Sequence, residues 1–231
     1  MNRTLTVILS IVAVIAVVSV GAFLYLTRDI AAPTTDINSS VQAVEVTDAS
    51  GEEIIFQIVQ SGTTAEYNIY ELLNGEDKTV VGTTDQVAGE IALNLSDLSQ
   101  SQIGELRINA RTFATDSDRR DNAVARFILQ SESDANEFII FQPTTITGLE
   151  GSAAAGDTVA FTVTGDLTIA GVTQSVTFDV SATLDSSDTL SGHAETVISR
   201  EAFNLSIPNV PFVANVGDDV TLKLDFTATA S

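Results

Sequence analysis

Apolar and polar residues alternate with a period of two along most of the chain beyond residue 44, and this pattern restricts the fold more than any other feature. The clearest stretches are residues 90–95, 106–113, 159–169, 176–180 and 220–226. Successive side chains of a β-strand point to opposite faces, so the alternation is typical of strands buried on one face. The sequence therefore predicts an all-β domain of about eight to ten antiparallel strands, which either closes into a barrel or splits into two packed sheets.

Residues 116–130 depart from this alternation. They place Val124, Phe127 and Ile128 at helical spacing, after two aspartates and a serine that are suitable N-cap residues. One short amphipathic helix is therefore expected to interrupt the strands. The stretch over residues 72–88 is more polar and is expected to be loop-like.

The amino-terminal segment has a different character. Residues 5–26 form an uncharged, mostly aliphatic run that Arg3 and Arg28 bracket. At about 1.5 Å per residue, a helix of this length matches a hydrocarbon core roughly 30 Å thick, whereas the apolar core of a signal peptide usually has about 7 to 15 residues. We therefore predict that residues 1–28 are a transmembrane anchor or uncleaved signal, with cleavage as the alternative.

The anchor implies an order of segments and a location. Residues 29–43 mix Pro, Thr, Asn and Ser without periodicity, which predicts a flexible linker, and residues 44–231 carry the β domain. A short basic amino terminus favours the cytoplasmic side. We expect a single-pass protein of the cell membrane with an extracytoplasmic domain, or a secreted or periplasmic domain after cleavage.

Charge and composition exclude several functions. The chain has 31 acidic and 10 basic residues and a net charge of -21, which argues against a nucleic-acid partner. It has no Cys and a single His, which excludes disulfides, thiolate sites and multi-histidine metal cages. No Gly-x-Ser-x-Gly motif places a nucleophile. The sequence predicts no catalytic residue, no metal site and no cofactor, and therefore a protein that is not an enzyme.

Four segments resemble the YceI-like family in their order and spacing. They are residues 108–130, 138–148, 165–180 and 199–207, and the most specific part is the run GDLTIAGVT in the third. The resemblance implies an extended, lipocalin-like antiparallel β-barrel of about eight strands with one short helix. It also implies that the long apolar interior holds an isoprenoid lipid, such as an isoprenoid quinone or a prenyl pyrophosphate. The histidines common in the family's first strand have no counterpart here, so no role is transferred to them.

The apolar positions of the strands give candidates for the wall of such a cavity. They are Ile108, Ile139, Phe141, Phe161, Val163, Phe178, Leu222 and Leu224. The same residues would also form an ordinary filled core, because a barrel of about eight strands encloses either packed side chains or one small ligand. The absence of Trp, the single Met and the many Val, Ala and Thr residues favour open space.

Half of the ten basic residues fall between Arg107 and Arg126. Arg119 and Arg120, near the expected start of the helix, are candidates for contact with the polar headgroup of the lipid. The alternative is that these arginines form surface ion pairs of little energetic consequence. The leading hypothesis is a membrane-tethered binding or carrier protein for a long isoprenoid lipid. A cell-surface interaction module with a filled β core and no ligand is the alternative.

Overall fold

The computed structural model describes residues 29–44, 53–208 and 213–231, which contain a twelve-stranded antiparallel sheet. Its strands are β1 (Glu53–Leu73), β2 (Glu76–Thr84), β3 (Val87–Ala88), β4 (Glu90–Asn94), β5 (Gln102–Ile103), β6 (Leu106–Asn109), β7 (Phe138–Thr147), β8 (Thr158–Ile169), β9 (Val172–Ser186), β10 (Thr189–Ser199), β11 (Val213–Ala214) and β12 (Asp219–Ala230). A short helix, α1 (Asp118–Ala123), continues as a π-helical turn over Val124–Ile128. The all-β prediction and the single short helix between strands are confirmed for the described residues.

The strand order is β3-β6-β7-β8-β9-β10-β12-β1-β4-β5, and β2 and β11 also pair with β1. Strand β1 is long enough to pair with β12 on one edge and with β4 and then β2 on the other. Beyond β3, the carbonyl oxygen of Gly89 accepts a hydrogen bond of 3.0 Å from the N–H of Ile58 in β1. Gly89 connects β3, at one end of the strand order, directly to β4, which pairs with β1 near the other end, so the sheet is curled.

The alternation in the sequence becomes an inside and an outside of this curled sheet. In β9, Val176, Phe178 and Val180 are shielded, whereas Thr177 and Asp179 between them are exposed. Threonine hydroxyls on the outer face pair across β8 and β9, at 2.7 Å between Thr158 and Thr183 and at 2.8 Å in two further pairs. Such cross-strand pairs stabilise the ladder from the solvent side and leave the inner face apolar.

A bulge in β1 changes which residues face inward. The register with β12 shifts between Val59 and Thr64, and Gly62 adopts a left-handed conformation with φ of 90°. Before the bulge the buried positions are even-numbered, as at Phe56 and Ile58; beyond it they are odd-numbered, as at Ala65. Glycine suits this position because a Cβ there would lie 2.8 Å from the hydroxyl of Thr227.

The prediction that residues 72–88 are loop-like is wrong for most of that stretch. Asn74 and Gly75 both have positive φ and form a tight turn between β1 and β2. Strand β2 buries Val80 and Gly82 on its inner face. Its outer face includes the apolar Val81 and its inner face includes the small Gly82, so the alternation is too weak to recognise in the sequence.

The segment predicted to be a flexible linker contacts the sheet instead. The carbonyl oxygen of Ala32 accepts a hydrogen bond of 2.9 Å from Arg111, and Thr34 donates to Glu137 through its N–H and its hydroxyl. Ile37 is 3% exposed. We call residues 31–44 the N-terminal strap. The folded unit therefore begins at Ala31 and includes residues placed outside the β domain by the sequence analysis.

The predicted transmembrane anchor, residues 1–28, lies outside the described residues. Among the residues that the structure describes, no helix combines the length and apolar character that crossing a membrane requires.

Candidate functional site

An elongated cavity of about 580 Å³ lies inside the curled sheet. Its wall includes residues of β8 from Val159 to Ile169, a distance of roughly 33 Å along the strand. All eight predicted cavity residues lie on this wall: Ile108, Ile139, Phe141, Phe161, Val163, Phe178, Leu222 and Leu224. The volume is within the range of about 300 to 1,000 Å³ that is typical of ligand pockets.

The open interior explains why several inward-facing side chains are only partly buried. Phe161, Phe178 and Leu222 pack against the buried core yet keep accessible surface, because they border empty space. Phe141 and Phe178 meet edge to face with ring centroids 5.1 Å apart. A Cβ at Gly165 would lie 2.7 Å from the Phe141 ring, so the glycine makes room for this aromatic pair. The filled β core of the alternative hypothesis does not describe this interior.

Sequence reasoning missed part of the wall. Strand β1 contributes Ile58, Ala65 and Ile69, and the helical segment contributes Val124 and Ile128. The β1 residues escaped notice because the bulge changes their alternation from even to odd positions. The helical stripe was recognised, but nothing in its spacing indicates that it faces a cavity.

The two ends of the cavity differ in polarity. One end is lined mainly by buried leucines, namely Leu98, Leu149, Leu184 and Leu190, with Ser101 and Asp157 beside them. At the other end lie Glu71, Asn74, Ser117, Arg119, Arg120 and Arg200. Helix α1 and the β1–β2 turn bring these polar residues together, since Arg120 of α1 contacts Glu71 of β1. We call this set the polar end.

Arg120 is held by carboxylates at the polar end. Its Nη2 lies 3.2 Å from Oε1 of Glu71, whose side chain is 9% exposed, and its Nη1 contacts Asp116. Lys78 lies 2.6 Å from the same aspartate. Hydrogen bonds from Lys78 and Arg120 hold the pKa of Asp116 below its usual range. The positive charge of Arg120 is therefore already compensated by carboxylates in this structure.

Arg119 lies in a different environment from its neighbour. It is exposed at the same mouth and makes no ion pair with any residue that the structure describes. Helix α1 is anchored by Asp121, whose Oδ1 accepts hydrogen bonds from the N–H and the hydroxyl of Thr115. The structure thus brings both predicted headgroup residues to the cavity mouth. Their contact with a ligand stays a prediction.

Tyr67 lines the wall between the bulge and the polar end. Its ring lies 5.3 Å from that of Phe113 and covers Gly82 in the neighbouring strand. Its hydroxyl has no hydrogen-bond partner among the described residues. Burial, and secondarily the negative charge of Asp121, raises the pKa of Tyr67 to about 12. The phenol is therefore neutral at physiological pH.

Most of the other arginines of the cluster have structural partners. Arg107 pairs with Glu105 at 2.6 Å. Arg111 and Glu137 form a buried pair at 3.1 Å, in which each side chain is 1% exposed. Farther along the chain, Arg200 donates a hydrogen bond of 2.6 Å to the carbonyl oxygen of Leu205. The Arg107 pair matches the expected surface ion pairs, whereas the pair of Arg111 and Glu137 is buried.

A curled antiparallel sheet around a long apolar cavity defines a class of β proteins that can enclose an apolar ligand. The family comparison is specific: the model of the YceI-like domain matches residues 56–228. The chain therefore belongs to the YceI-like family, as its resemblance indicated.

Solved structures share this fold at low sequence identity. BcnA of Burkholderia cenocepacia superposes with a TM-score of 0.58 at 19% identity, over 74% of this chain and 99% of its own. A polyisoprenoid-binding domain from Saccharophagus degradans, implicated in plant cell wall breakdown, gives 0.58 at 10% identity, over 78% and 99%. The YCEI protein of Campylobacter jejuni gives 0.52 at 16% identity, over 65% and 84%. A comparison with curated proteins gives no match.

Proposed function

We propose that this protein binds a long isoprenoid lipid in its cavity and acts as a carrier or sequestering protein for that lipid. The observation that carries the proposal is the elongated apolar cavity with one apolar and one polar end. Such a shape suits an amphiphile whose chain is apolar along its whole length and whose headgroup is polar. The polyisoprenoid-binding domain that shares the fold supports the same ligand class.

The mechanism is passive. Burial of apolar surface contributes roughly 25 cal/mol per Å² and drives the isoprenoid chain between the strands. The polar end keeps the headgroup near water, so no polar group has to enter the apolar part of the cavity. No bond is made or broken, and the proposal requires no catalytic residue or cofactor.

The proposal includes a place of action. Residues 5–26 would anchor the chain in the cell membrane and keep the domain on the extracytoplasmic side, close to its lipid source. A tethered carrier needs only a short path between the bilayer and its cavity. This part of the proposal rests on the sequence alone.

Lipid extraction tests the proposal most directly. The full-length protein is purified from the membranes of a bacterial expression host and extracted with organic solvent, and the extract is analysed by mass spectrometry. We expect an isoprenoid lipid in near-stoichiometric amount. Variant Phe161→Arg, in which a charge enters the cavity, is the control for lipid bound outside it. The same lipid in equal amount from both proteins, or none from either after incubation with isoprenoids, would contradict the proposal.

A further inference from the structure

At the polar end of the cavity, the carboxylates of Glu71 and Asp116 offset the charges of Arg120 and Lys78. Glu71 faces the cavity from β1, and Asp116 lies at its rim. Glu71 pairs with Nη2 of Arg120 and Asp116 with its Nη1, and Asp116 also pairs with Lys78. An anionic headgroup entering here would meet a buried carboxylate rather than an available guanidinium.

The one unpaired cation at this mouth, within the described residues, is Arg119. Its side chain is exposed to solvent, so water and salt screen its charge. The Glu71–Arg120 pair is more shielded, with side chains 9% and 18% exposed, and its charges act at closer range through a medium of lower dielectric constant. The whole chain adds a net charge of -21 that opposes any anion.

From this arrangement we infer that Glu71 is a specificity-determining residue that occupies Arg120 and excludes diphosphate headgroups, so that the cavity takes isoprenoid lipids with an uncharged polar end. The inference rests on the proposed function, because it concerns the headgroup of the same ligand. It assigns to Arg120 a role opposite to the one expected from the sequence. The guanidinium compensates a carboxylate of the wall and is not available to a phosphate.

The inference predicts a gain of binding when the carboxylate is removed. In Glu71→Gln the side chain keeps its size and its capacity to accept a hydrogen bond, but the negative charge is lost. The amide then holds Nη2 of Arg120 only by a neutral hydrogen bond, which an anion can replace. We expect the affinity for geranylgeranyl diphosphate to rise about tenfold, the scale of a charge-assisted hydrogen bond. The affinity for geranylgeraniol, which has the same tail and no charge, should change less than about twofold.

The experiment compares these two ligands on the full-length chain. Native mass spectrometry of protein released from detergent micelles measures the bound fraction of each ligand at equal concentrations. The wild-type chain should prefer the alcohol, and Glu71→Gln should shift the preference to the diphosphate. Glu150→Gln removes one charge from an exposed residue outside the main cavity and should behave as wild type, which separates a local effect from one of net charge.

A second variant keeps the test decisive if Glu71→Gln fails to fold. Asp116 is exposed, with 62% of its side chain accessible, and Asp116→Asn frees Nη1 of Arg120 together with Lys78 without altering the wall of the cavity. It should raise diphosphate binding in the same direction. A wild-type preference for the diphosphate, or no gain in either folded variant, would overturn the inference. Failure of the wild-type chain to bind either ligand would instead contradict the proposed function.

Discussion

At the scale of single residues, Phe161 is the most direct test of an open apolar cavity. Its ring lies on the wall and keeps accessible surface because it borders empty space. Phe161→Arg places an unpaired charge there, and we expect it to abolish isoprenoid binding and to lower the free energy of unfolding by about 3 kcal/mol. Phe161→Leu should preserve the fold and weaken binding by less than about tenfold.

The matched control for this substitution lies one residue away. Ala160 is exposed on the outer face of β8, so Ala160→Arg adds the same charge outside the cavity. Lipid binding by titration and urea unfolding should be close to wild type for this variant. If both arginine variants bind lipid equally well, the cavity is not the binding site.

Tyr67 gives a prediction about pH at the same scale. Its pKa is raised to about 12 in the folded protein, from an ordinary value near 10. Because the folded state holds the proton more tightly, the associated stabilisation is complete below about pH 10 and is lost as the pH rises through about 12. Two pKa units correspond to about 2 to 3 kcal/mol.

The measurement is urea unfolding of the wild-type chain and of Tyr67→Phe between pH 8 and pH 12, a range whose upper half spans the two pKa values. The wild-type chain should lose this additional stability over the upper half of the interval, whereas the variant should not. The exposed Tyr70 hydroxyl donates a hydrogen bond to Asp77, which raises the pKa of Tyr70 as well, so Tyr70→Phe shows how much of the pH profile belongs to that residue. Parallel pH profiles for wild type and Tyr67→Phe would contradict the assignment.

At the scale of elements, the β1 bulge decides what could be predicted from the sequence. Among the strands with clean alternation, β8 was recognised to within one residue of its ends and β9 and β12 over part of their length, together with the residues that these parts direct into the cavity. Strand β1 was not recognised, because the bulge interrupts its alternation. Between the pairs Val59–Thr227 and Thr64–Asp225, β1 has three more residues than β12. Local alternation carries no information about a change of face inside one strand.

The polar end was harder to predict for a different reason. Arg119 and Arg120 were placed correctly near the start of a helix, yet Glu71 is 49 positions away from its partner Arg120 in the sequence. Which carboxylate meets which arginine depends on the β1–β2 hairpin, whose second strand looks like a loop in the sequence. The chemistry of the cavity mouth therefore requires the tertiary structure.

Thr63 provides the test of the bulge. It is 2% exposed, donates a hydrogen bond of 2.6 Å to the carbonyl oxygen of Val59 and accepts one of 3.1 Å from the N–H of Thr227. The hydroxyl thus replaces ladder bonds that the bulge interrupts. We expect Thr63→Val to lower the free energy of unfolding by about 1 to 3 kcal/mol, because a buried N–H loses its acceptor.

The control for this element is Thr229, which is exposed on β12. Thr229→Val makes the same chemical change at a position where the hydroxyl has water as a partner, and its effect should stay within about 0.5 kcal/mol. Urea unfolding measures both variants. A Thr63→Val protein as stable as Thr229→Val would mean that the hydroxyl does not support the bulge.

At the scale of the whole molecule, the N-terminal strap is held against the sheet by a buried ion pair. Both members of the buried pair of Arg111 and Glu137 contact the strap: Arg111 donates to the carbonyl oxygen of Ala32, and Glu137 accepts two hydrogen bonds from Thr34. Asn109 donates a further bond of 3.0 Å to Glu137. A buried pair of this kind is stable only when its lone pairs and protons are satisfied, so the strap is part of the folded domain and not a loose spacer.

Two deletions test the predicted anchor and the strap separately. Removal of residues 1–28 should release the protein from the membrane fraction and leave a folded domain, since the strap and its contacts remain. Removal of residues 1–43 also deletes buried Ile37 and leaves Glu137 without the partners it has in Thr34. Loss of the Ile37 burial costs about 1.5 to 3 kcal/mol. With the lost hydrogen bonds, we expect the longer deletion to be less stable than the shorter one by about 3 to 5 kcal/mol.

Urea unfolding of the two proteins measures this difference, and Thr34→Ala in the shorter form should reproduce part of it. Equal stability would mean that the strap is a spacer after all, and a shorter form that stays in the membrane fraction would contradict the anchor.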